Sequence, residues 1–498
     1  MSEKKLNYFW CIGVFVLLPL AMTKGYSNIT ITKFIVYGIV TIICFYWMVL
    51  HRFFDYASTG NKDIKISIIE KLIIVYFVMN CITCVVSGNM TEDIVAAYDK
   101  HMGLFYVLLT IMTYLTVRYI KLYDINNLIS IAAIGTCVTI VFAMIQFLGM
   151  DFGNILGRLA IAERGNFLSS MGNTAVFGKY CCIVCPVSIF LLWKSNDRKD
   201  KLICRLLSAL YFISILISNI DAAYLGFSVA IVSLFLLSLK YKYLNSYVCT
   251  MESGFIGFTA FGILYRLLPN VRHLSKFGVL VVSNIRVEVF FAVVVGFIII
   301  VSYKKNSHIS DRIRAILFKC TVGIVIVAVI GILLLFIYCS FINRTTNIGG
   351  FERYFRFSDD WGTQRGIVWR WCADIYSNLP VYKKLFGAGH GSVPILLLES
   401  YKTQMSKELG FVFDNAHNVY LHQLLSTGIA GVVSYLAVLI AAIVSGFRHK
   451  DRIIFTVGII ICMIMDMVCI CEPITNPYLW VLMAFACRPA CFLQAFFA

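Results

Sequence analysis

One histidine near the start of a late apolar helix has the residue type and the position for proton chemistry. In the stretch FDNAHNVYLHQLL, Asp414 or Asn415 is predicted to cap a helix, which places His417 in its first turn. Histidine exchanges a proton near neutral pH, and an ionisable group at the boundary of a membrane helix is a functional candidate because lipid disfavours charge. A solvated histidine at a helix start is the alternative, and the sequence fits both interpretations.

An arginine and a glycine-rich turn precede this histidine in the same polar segment. In QRGIVWRWCADIY, Arg365 and Trp369 lie four residues apart and therefore share a helix face. On spacing alone, a short surface helix anchored in the membrane interface by Trp369 and Trp371 is the favoured interpretation. The alternating glycines from Gly387 to Gly391 permit positive φ and a close approach of backbone amides to an anion, although a turn between two surface helices has the same sequence.

The elements that must position these residues are membrane helices. Of 498 residues, 60% are hydrophobic and only 14% are charged, an apolar content that a soluble core cannot use. The apolar runs are helix-length and lack two-residue alternation, which excludes a transmembrane β-barrel and predicts an all-α polytopic bundle of about 12–14 helices. The predicted helices are 8–22, 33–50, 68–86, 102–120, 128–149, 172–193, 202–219, 222–239, 254–268, 284–302, 316–341, 418–446, 453–471 and 477–494.

The distribution of basic residues predicts the orientation of the bundle. Lys and Arg are concentrated in the short segments on the side of the N-terminus, so both termini are predicted to be cytoplasmic. The loop from 342 to 416 is then extracytoplasmic, within a single transmembrane domain over 1–498. The MSEKK start leads into a retained first helix, because no small-residue cleavage site follows. The net charge of +17 is scattered over these loops and indicates no nucleic-acid partner.

One group of basic residues runs against this trend. Arg266, Arg272, Lys276 and Arg286 fall on the predicted outer face, where Lys and Arg are otherwise sparse. Such a cluster predicts a bound anion, because arginine's planar fork matches phosphate oxygens. A misplaced helix boundary is the alternative explanation.

Cysteines and carboxylates do not form a recognisable metal site. The eighteen cysteines lie almost entirely within apolar runs and are interpreted as small apolar residues, and the 342–416 loop holds only Cys372. Asp359 and Asp360 are adjacent, so their side chains diverge, whereas a divalent cation needs carboxylates that converge. The sequence therefore predicts no metal and no cofactor.

The last long outer loop and the helix after it contain four short motifs in order: Arg365-x-x-x-Trp369, the glycines 387–391, His417-Asn418-x-Tyr420-Leu421 and Gly428-x-x-Gly431. Together they resemble the O-antigen ligase and O-antigen (Wzy-type) polymerase superfamily of membrane glycosyltransferases. Upstream, SSMGNTAVFGKY, which contains Asn173, resembles the GNPN-type motif of the family. The resemblance covers residues 160–435.

The chain departs from the family pattern in two places. The second asparagine of the GNPN-type motif is missing, since Ala175 and Val176 follow Thr174. Family members often carry a Ser-Arg pair at an outer helix start, where this chain has SNIDAAYLG with Asp221. The sequence does not say which arginine takes that place.

The resemblance implies an enzyme that moves a glycan from an undecaprenyl-diphosphate donor to an acceptor sugar hydroxyl, outside the bacterial cytoplasmic (inner) membrane. Arg365 would then stabilise the leaving diphosphate and His417 would take the acceptor proton, with Asn418 orienting the base or the sugar. The further substrate-binding candidates are Arg370, Gly389, Arg266, Arg272, Arg286 and Asn173. The implied partners are the donor and acceptor glycans, the lipid bilayer and other polysaccharide-assembly membrane proteins.

Two other membrane functions fit the same number of helices. A lipid-linked oligosaccharide flippase or another polysaccharide transporter is expected to show related halves or paired broken helices, and neither is visible in the sequence. Transferases that use a monophosphate-lipid donor carry acidic residues in the first outer loop, whereas Thr23–Lys33 contains none. Polymerase and ligase activities share these motifs and stay open as alternatives.

Overall fold

The structure is a computed structural model that describes residues 1–59, 66–161, 163–268, 271–275, 278–279, 293–294, 310–345, 347–410, 412–470 and 472–488. It is 79% helical with almost no strand, which confirms a polytopic all-α membrane protein. Within the described ranges, nine helices are long and apolar enough to cross a membrane. A tenth is formed if Met90–Asp99 and Leu104–Tyr119, which meet at 81°, are one bent span.

In chain order, the helices are α1 (Glu3–Ile12, continued by a π-turn at Gly13–Leu17 and a short turn at Leu18–Leu20), α2 (Ile29–Thr59), α3 (Ile68–Ser87), α4 (Met90–Val95), α5 (Leu104–Tyr119), α6 (Ile125–Phe147), α7 (Thr174–Leu192), α8 (Arg198–Ser218), α9 (Asp221–Tyr241), α10 (Leu244–Leu267), α11 (Asp311–Ile337), α12 (Glu352–Phe355), α13 (Trp361–Asn378), α14 (Val381–Phe386), α15 (Ser392–Gln404), α16 (Val419–Phe447), α17 (Ile453–Asp466) and α18 (Asn476–Cys487). Two short antiparallel strands, β1 (Phe167–Leu168) and β2 (Gly172–Asn173), pair with each other.

Most predicted helices coincide with helices of the structure, and the differences lie at their ends. The segment before α5 was predicted as a loop, but Met90–Asp99 is helical and bends sharply into α5. The helix predicted from 254 begins at Leu244, because its polar first turns pack against neighbouring helices instead of facing lipid. The predicted helix 284–302 lies outside the described residues.

Helix α7 lies at the centre of the bundle. Of its apolar stretch, 89% is buried, compared with 28% for α10. Its small side chains, Gly178 among them, allow α9 to approach closely at Ala223. Cys181, Cys182 and Cys185 are fully buried and form no disulfide among the described residues, so they fill space as the sequence predicted.

The segment between α11 and α16 has a small hydrophobic core of its own. Helices α13 and α15 pack together, and the stacked rings of Trp371 and Tyr401, 5.0 Å apart, lie between them. Ala416 and Leu425 belong to the same buried cluster, so this core is continuous with the start of α16. The loop is therefore a folded unit that can hold side chains in fixed positions.

Candidate active site

A break in α16 holds the glycine-rich turn against the bundle. Gly428 has φ 69° and ψ −176° within α16, which frees the backbone carbonyls that precede it. The carbonyls of Leu425 and Ser426 accept hydrogen bonds from the N–H groups of Ala388 (2.9 Å) and Gly389 (3.0 Å). A Cβ at Gly428 would lie 2.5 Å from backbone atoms of the turn, so only glycine fits there.

This packing gives Gly389 a structural role. Its N–H was expected to face an anion, but it donates to the carbonyl of Ser426 instead. The N–H of Gly391 is directed at Asp93 Oδ1, at 3.4 Å. Both amides are occupied within the protein, and the structure therefore does not support the anion contact predicted for Gly389.

Helix α13 brings Arg365 next to the segment that carries His417. Trp369 donates from Nε1 to the carbonyl of Ala416 at 3.1 Å, which joins the two segments directly. Arg365, one helical turn before Trp369, is half-buried and donates from Nη1 to the carbonyl of Gly362. The shared face predicted for the Arg-x-x-x-Trp spacing thus points toward the segment just before α16.

His417 lies just outside α16, and not in its first turn. The predicted cap was wrong by several residues: Asn418 is the N-cap, and its side chain accepts from the N–H of Leu421 at 3.0 Å. The side chain of Asn415 accepts from the N–H of His417 at 2.9 Å and holds that residue at φ 49°. A non-glycine residue rarely adopts this left-handed conformation, which costs about 1–2 kcal/mol and needs such support.

The surroundings of His417 keep its imidazole neutral. Burial lowers the pKa of His417, the positive charges of Arg365 and Lys100 lower it further, and the nearby Asp414 only partly opposes them, so the pKa is about 4. Burial also lowers the pKa of Arg365, but a guanidinium stays protonated in any protein. Within the described residues, no carboxylate lies within 4 Å of Arg365. A neutral base and a cation without an ion-pair partner therefore share one site.

Two further polar contacts lie beside these residues: a partly exposed ion pair and a buried contact between a carboxylate and a histidine. Lys100, at the bend before α5, is 3.0 Å from Asp414 of the loop. Its neighbour Asp99 is 2.5 Å from His422 Nε2. His390 of the glycine-rich turn lies with this second pair in a polar cavity between α3, α5, α16 and α18. The turn therefore lines this inner cavity.

Sequence reasoning missed a deeper layer of charge. Lys33 of α2 is fully buried, and its Nζ donates to the carbonyls of Leu18 (2.7 Å) and Pro19 (2.9 Å). Lys179 of α7 forms a buried ion pair with Asp466 of α17. Glu472, in the turn between α17 and α18, is only 5% exposed. Each is a single charged residue in an apolar helix or a turn. No motif or spacing in the sequence distinguishes it from the ordinary charged residues near helix ends.

Arg370 and Asn173 have partners of their own in the structure. Arg370 is exposed on the far face of α13 and pairs with Asp359 at 2.8 Å. Asn173 caps α7, since its side chain accepts from the N–H of Ala175 at 2.7 Å. Among the described residues, no group of His, Cys, Asp and Glu side chains is arranged to hold a metal ion.

Two residues of the predicted outer basic cluster, Arg266 and Arg272, lie among the described residues. Arg266 is exposed at the end of α10. Arg272 is half-buried and donates from Nη1 to the carbonyl of Phe167 at 2.7 Å, where burial lowers the pKa of its guanidinium. Lys276 and Arg286 lie outside the described residues. Arg272 of this cluster therefore binds a backbone carbonyl of β1 through its Nη1 group.

At Asp221, where the chain departs from the family pattern, an arginine from the loop lies nearby. Arg353 of α12 forms an ion pair with Asp221 at 2.5 Å. The negative charge of Asp221 also acts on Arg365, whose pKa it raises against the effect of burial. An arginine from the loop thus stands beside the helix start where the family motif has its own arginine.

Comparison with known proteins identifies the domain that contains this site. The family described as O-antigen ligase matches residues 274–436, a segment that includes Arg365, the glycine-rich turn and His417. No curated protein matches the chain. The match confirms the resemblance seen in the motifs and supports membrane glycan transfer as the general function. Residues 274–436 are therefore similar to the O-antigen ligase family over about a third of the chain.

Proposed function

We propose that the chain transfers a glycan from an undecaprenyl-diphosphate donor to an acceptor sugar hydroxyl on the outer side of the cytoplasmic membrane. The observation that carries the proposal is the convergence of Arg365 and His417, joined through the Trp369–Ala416 hydrogen bond. The first supplies a cation for a leaving diphosphate, and the second supplies an unprotonated nitrogen for the acceptor proton.

The reaction divides between these two side chains. The acceptor oxygen bonds to the anomeric carbon of the donor as the bond from that carbon to the diphosphate oxygen breaks. The bonding electrons leave on the diphosphate, whose oxygens face the guanidinium of Arg365. His417 takes the hydroxyl proton, and the charge of the bound donor favours this step because it offsets the positive charges that lower the pKa of His417. No metal ion is needed in this scheme.

An apolar groove beside the site fits the prenyl chain of such a donor. It lies between α16 and α17 and begins at Tyr420, three residues after His417. Its walls are aliphatic or methionine side chains down to Ile443. The hydroxyl of Tyr420 donates to the carbonyl of Met463 at 2.9 Å, which fixes the upper end of the groove. A lipid with a charged head group and an apolar tail would fit a charged site followed by an apolar groove.

Substitution of Arg365 and His417 tests the proposal. Arg365→Lys keeps the charge but loses the planar fork, and His417→Ala removes the base, so each should slow glycan transfer at least about a hundredfold. Transfer is measured with purified protein, a synthetic lipid-diphosphate glycan and an acceptor glycan. Protein yield and thermal unfolding are followed in parallel, because both variants should remain folded.

Matched controls come from outside the site. Arg344→Lys changes an exposed arginine of the same loop, and His449→Ala changes an exposed histidine at the other end of α16. Both should transfer glycan at close to the wild-type rate. Near-normal transfer by His417→Ala at neutral pH would remove the base from the mechanism. Movement of the lipid-linked glycan across the membrane without transfer would favour a flippase.

A further inference from the structure

A groove lies between the first turns of two neighbouring helices, α8 and α10. Farther along, the two helices are in close contact, since a Cβ at Gly257 of α10 would lie 2.5 Å from the carbonyl oxygen of Ala209 of α8. Around their first turns they leave a space of about 180 Å³. This is about six times the roughly 30 Å³ that a water molecule occupies in the liquid, so the groove has room for a phosphate group.

Two polar stripes face each other across this groove. Residues three or four apart share a helix face, and the stripe on α8 contains Lys201, Cys204, Arg205 and Ser208. The opposite stripe, on α10, contains Asn245, Ser246, Cys249 and Thr250. Trp193, just after α7, also lines the groove, and its Nε1 donates to Thr250 Oγ1 at 3.0 Å. Side chains that can donate hydrogen bonds therefore surround a space at the start of two apolar helices.

The groove carries positive charge. Lys201 and Arg205 are exposed, and the described residues that line the groove include no carboxylate. Two carboxylates lie nearby. Asp200 is buried and accepts from two serine hydroxyls at 2.6 Å each, and Glu252, outside the lining, acts on Arg205 with its negative charge. An anion that enters the groove would therefore meet two cations and several neutral hydrogen-bond donors.

We propose that this groove binds the head group of an anionic phospholipid. Helices α8 and α10 are both long and apolar enough to cross a membrane, so their first turns lie near its boundary. Leu202 and Leu206, next to the two cations on α8, are 69% and 52% exposed and offer an apolar surface to acyl chains. Basic pockets between membrane helices on the cytoplasmic side recognise such head groups, and this end of α8 is the one predicted to be cytoplasmic.

The lipid site is separate from the proposed glycan transfer, because none of the residues that line the groove belongs to the candidate active site. Scattered basic residues near helix ends attract anionic lipids without holding any one of them. A groove with two facing stripes differs from such residues, because it should bind a single lipid saturably.

Native mass spectrometry of the delipidated protein in detergent tests the proposal, with dioleoyl phosphatidylglycerol as the probe. The wild type should bind one such lipid at least about tenfold more tightly than dioleoyl phosphatidylcholine, whose head group is zwitterionic. Lys201→Gln combined with Arg205→Gln should abolish this preference, because both cations of the groove are lost. Ser246→Leu fills the groove without changing its charge and should also weaken phosphatidylglycerol binding at least about tenfold.

Arg312→Gln combined with Lys319→Gln is the matched control. It removes two exposed cations from the first turns of α11, on the side that is also predicted to be cytoplasmic, and it should keep the wild-type preference. An equal loss of preference in this control would show general attraction of charge and overturn the proposal. Full binding by Ser246→Leu would overturn the groove as the site. Thermal unfolding of each variant establishes that it is folded.

Photo-crosslinking of the wild type locates the lipid without any substitution. Phosphatidylglycerol with a photoreactive group on its glycerol head is bound to the purified protein and irradiated, and the modified peptides are identified by mass spectrometry. Crosslinks to the first turns of α8 and α10 are expected. Crosslinks confined to other helices would place the head group elsewhere and refute the proposed site.

Discussion

His417 combines a strained backbone, a half-buried side chain and two nearby cations. The Asn415 side chain and the Trp369–Ala416 bond keep the segment in place although φ is 49°. The same surroundings lower the pKa of the ring to about 4, which makes His417 a weak base before the donor arrives. Donor charge near Arg365 and Lys100 would offset the positive field, so the base would gain strength when the substrate is bound.

This coupling predicts different acid limbs for two kinetic constants. Because kcat/KM reports the free protein, its acid limb should lie below about pH 5, where His417 protonates. Because kcat reports the bound complex, its acid limb should lie at higher pH. Initial rates between pH 4.5 and 8 in the wild type measure both limbs. An acid limb of kcat/KM near 6.5, the ordinary histidine value, would contradict the burial of His417.

The sequence singled out residues that lie within a motif and missed residues that only packing brings together. Arg365 and His417 were identified because each lies in a short pattern within the polar loop. Glu472 lies in CICEPIT, and Lys33 lies at a helix start, so each looks like an ordinary flanking charge. Their proximity depends on how several helices pack, and no spacing along the chain encodes it.

At the scale of elements, the broken helix α16 and the glycine-rich turn work as one unit. The turn supplies the N–H groups that the carbonyls before Gly428 would otherwise lack. Thr83 of α3 donates to the carbonyl of Phe386 at 2.6 Å, which ties the turn to a third element. The sequence indicated the conformational freedom of these glycines and a possible contact of their N–H groups with an anion. In the structure, the acceptors of these N–H groups are carbonyls of α16, which is distant along the chain.

Gly428→Ala should therefore disrupt the site although Gly428 is neither Arg365 nor His417. The new Cβ would lie 2.5 Å from the backbone of Leu385 and Gly387, at a residue whose φ is 69°. We expect a loss of about 2 kcal/mol or more in stability and a strong loss of transfer, because His417 and Arg365 lose their fixed relation. Thermal unfolding and transfer rates of the purified protein measure the two effects.

Gly323→Ala is the control for this substitution. Gly323 lies in α11, and a Cβ there meets nothing within 4 Å among the described residues. Since alanine is the better helix former, this variant should be as stable as the wild type or slightly more stable, with normal transfer. If Gly428→Ala behaved in the same way, the break in α16 would not be needed to hold the turn.

At the scale of the whole molecule, packing brings together charged groups that lie far apart along the chain. Arg365, His417, Lys100 and Glu472 come from four separate parts of the chain, and the charge of Lys100 acts on both His417 and Glu472. Apolar runs of helix length were sufficient to predict the class of fold. The bend between Met90–Asp99 and α5, at 81°, was not predicted, because its polar sequence resembles an ordinary loop.

The distribution of basic residues predicts that the 342–416 loop is extracytoplasmic and that both termini are cytoplasmic, and cysteine labelling tests this prediction. Cys372 is fully buried in the loop core, so the native cysteine of the loop cannot report. Val381, 72% exposed at the start of α14, and Lys242, with a side chain 64% exposed in the turn after α9, are better sites. In a protein with its other accessible cysteines replaced, a membrane-impermeant maleimide should label Val381→Cys in intact bacterial cells. Lys242→Cys should react only after the membrane is permeabilised, because it lies at the other end of the bundle. The reverse pattern would place Arg365 and His417 in the cytoplasm, where a glycan donor presented on the outer leaflet has no access to them.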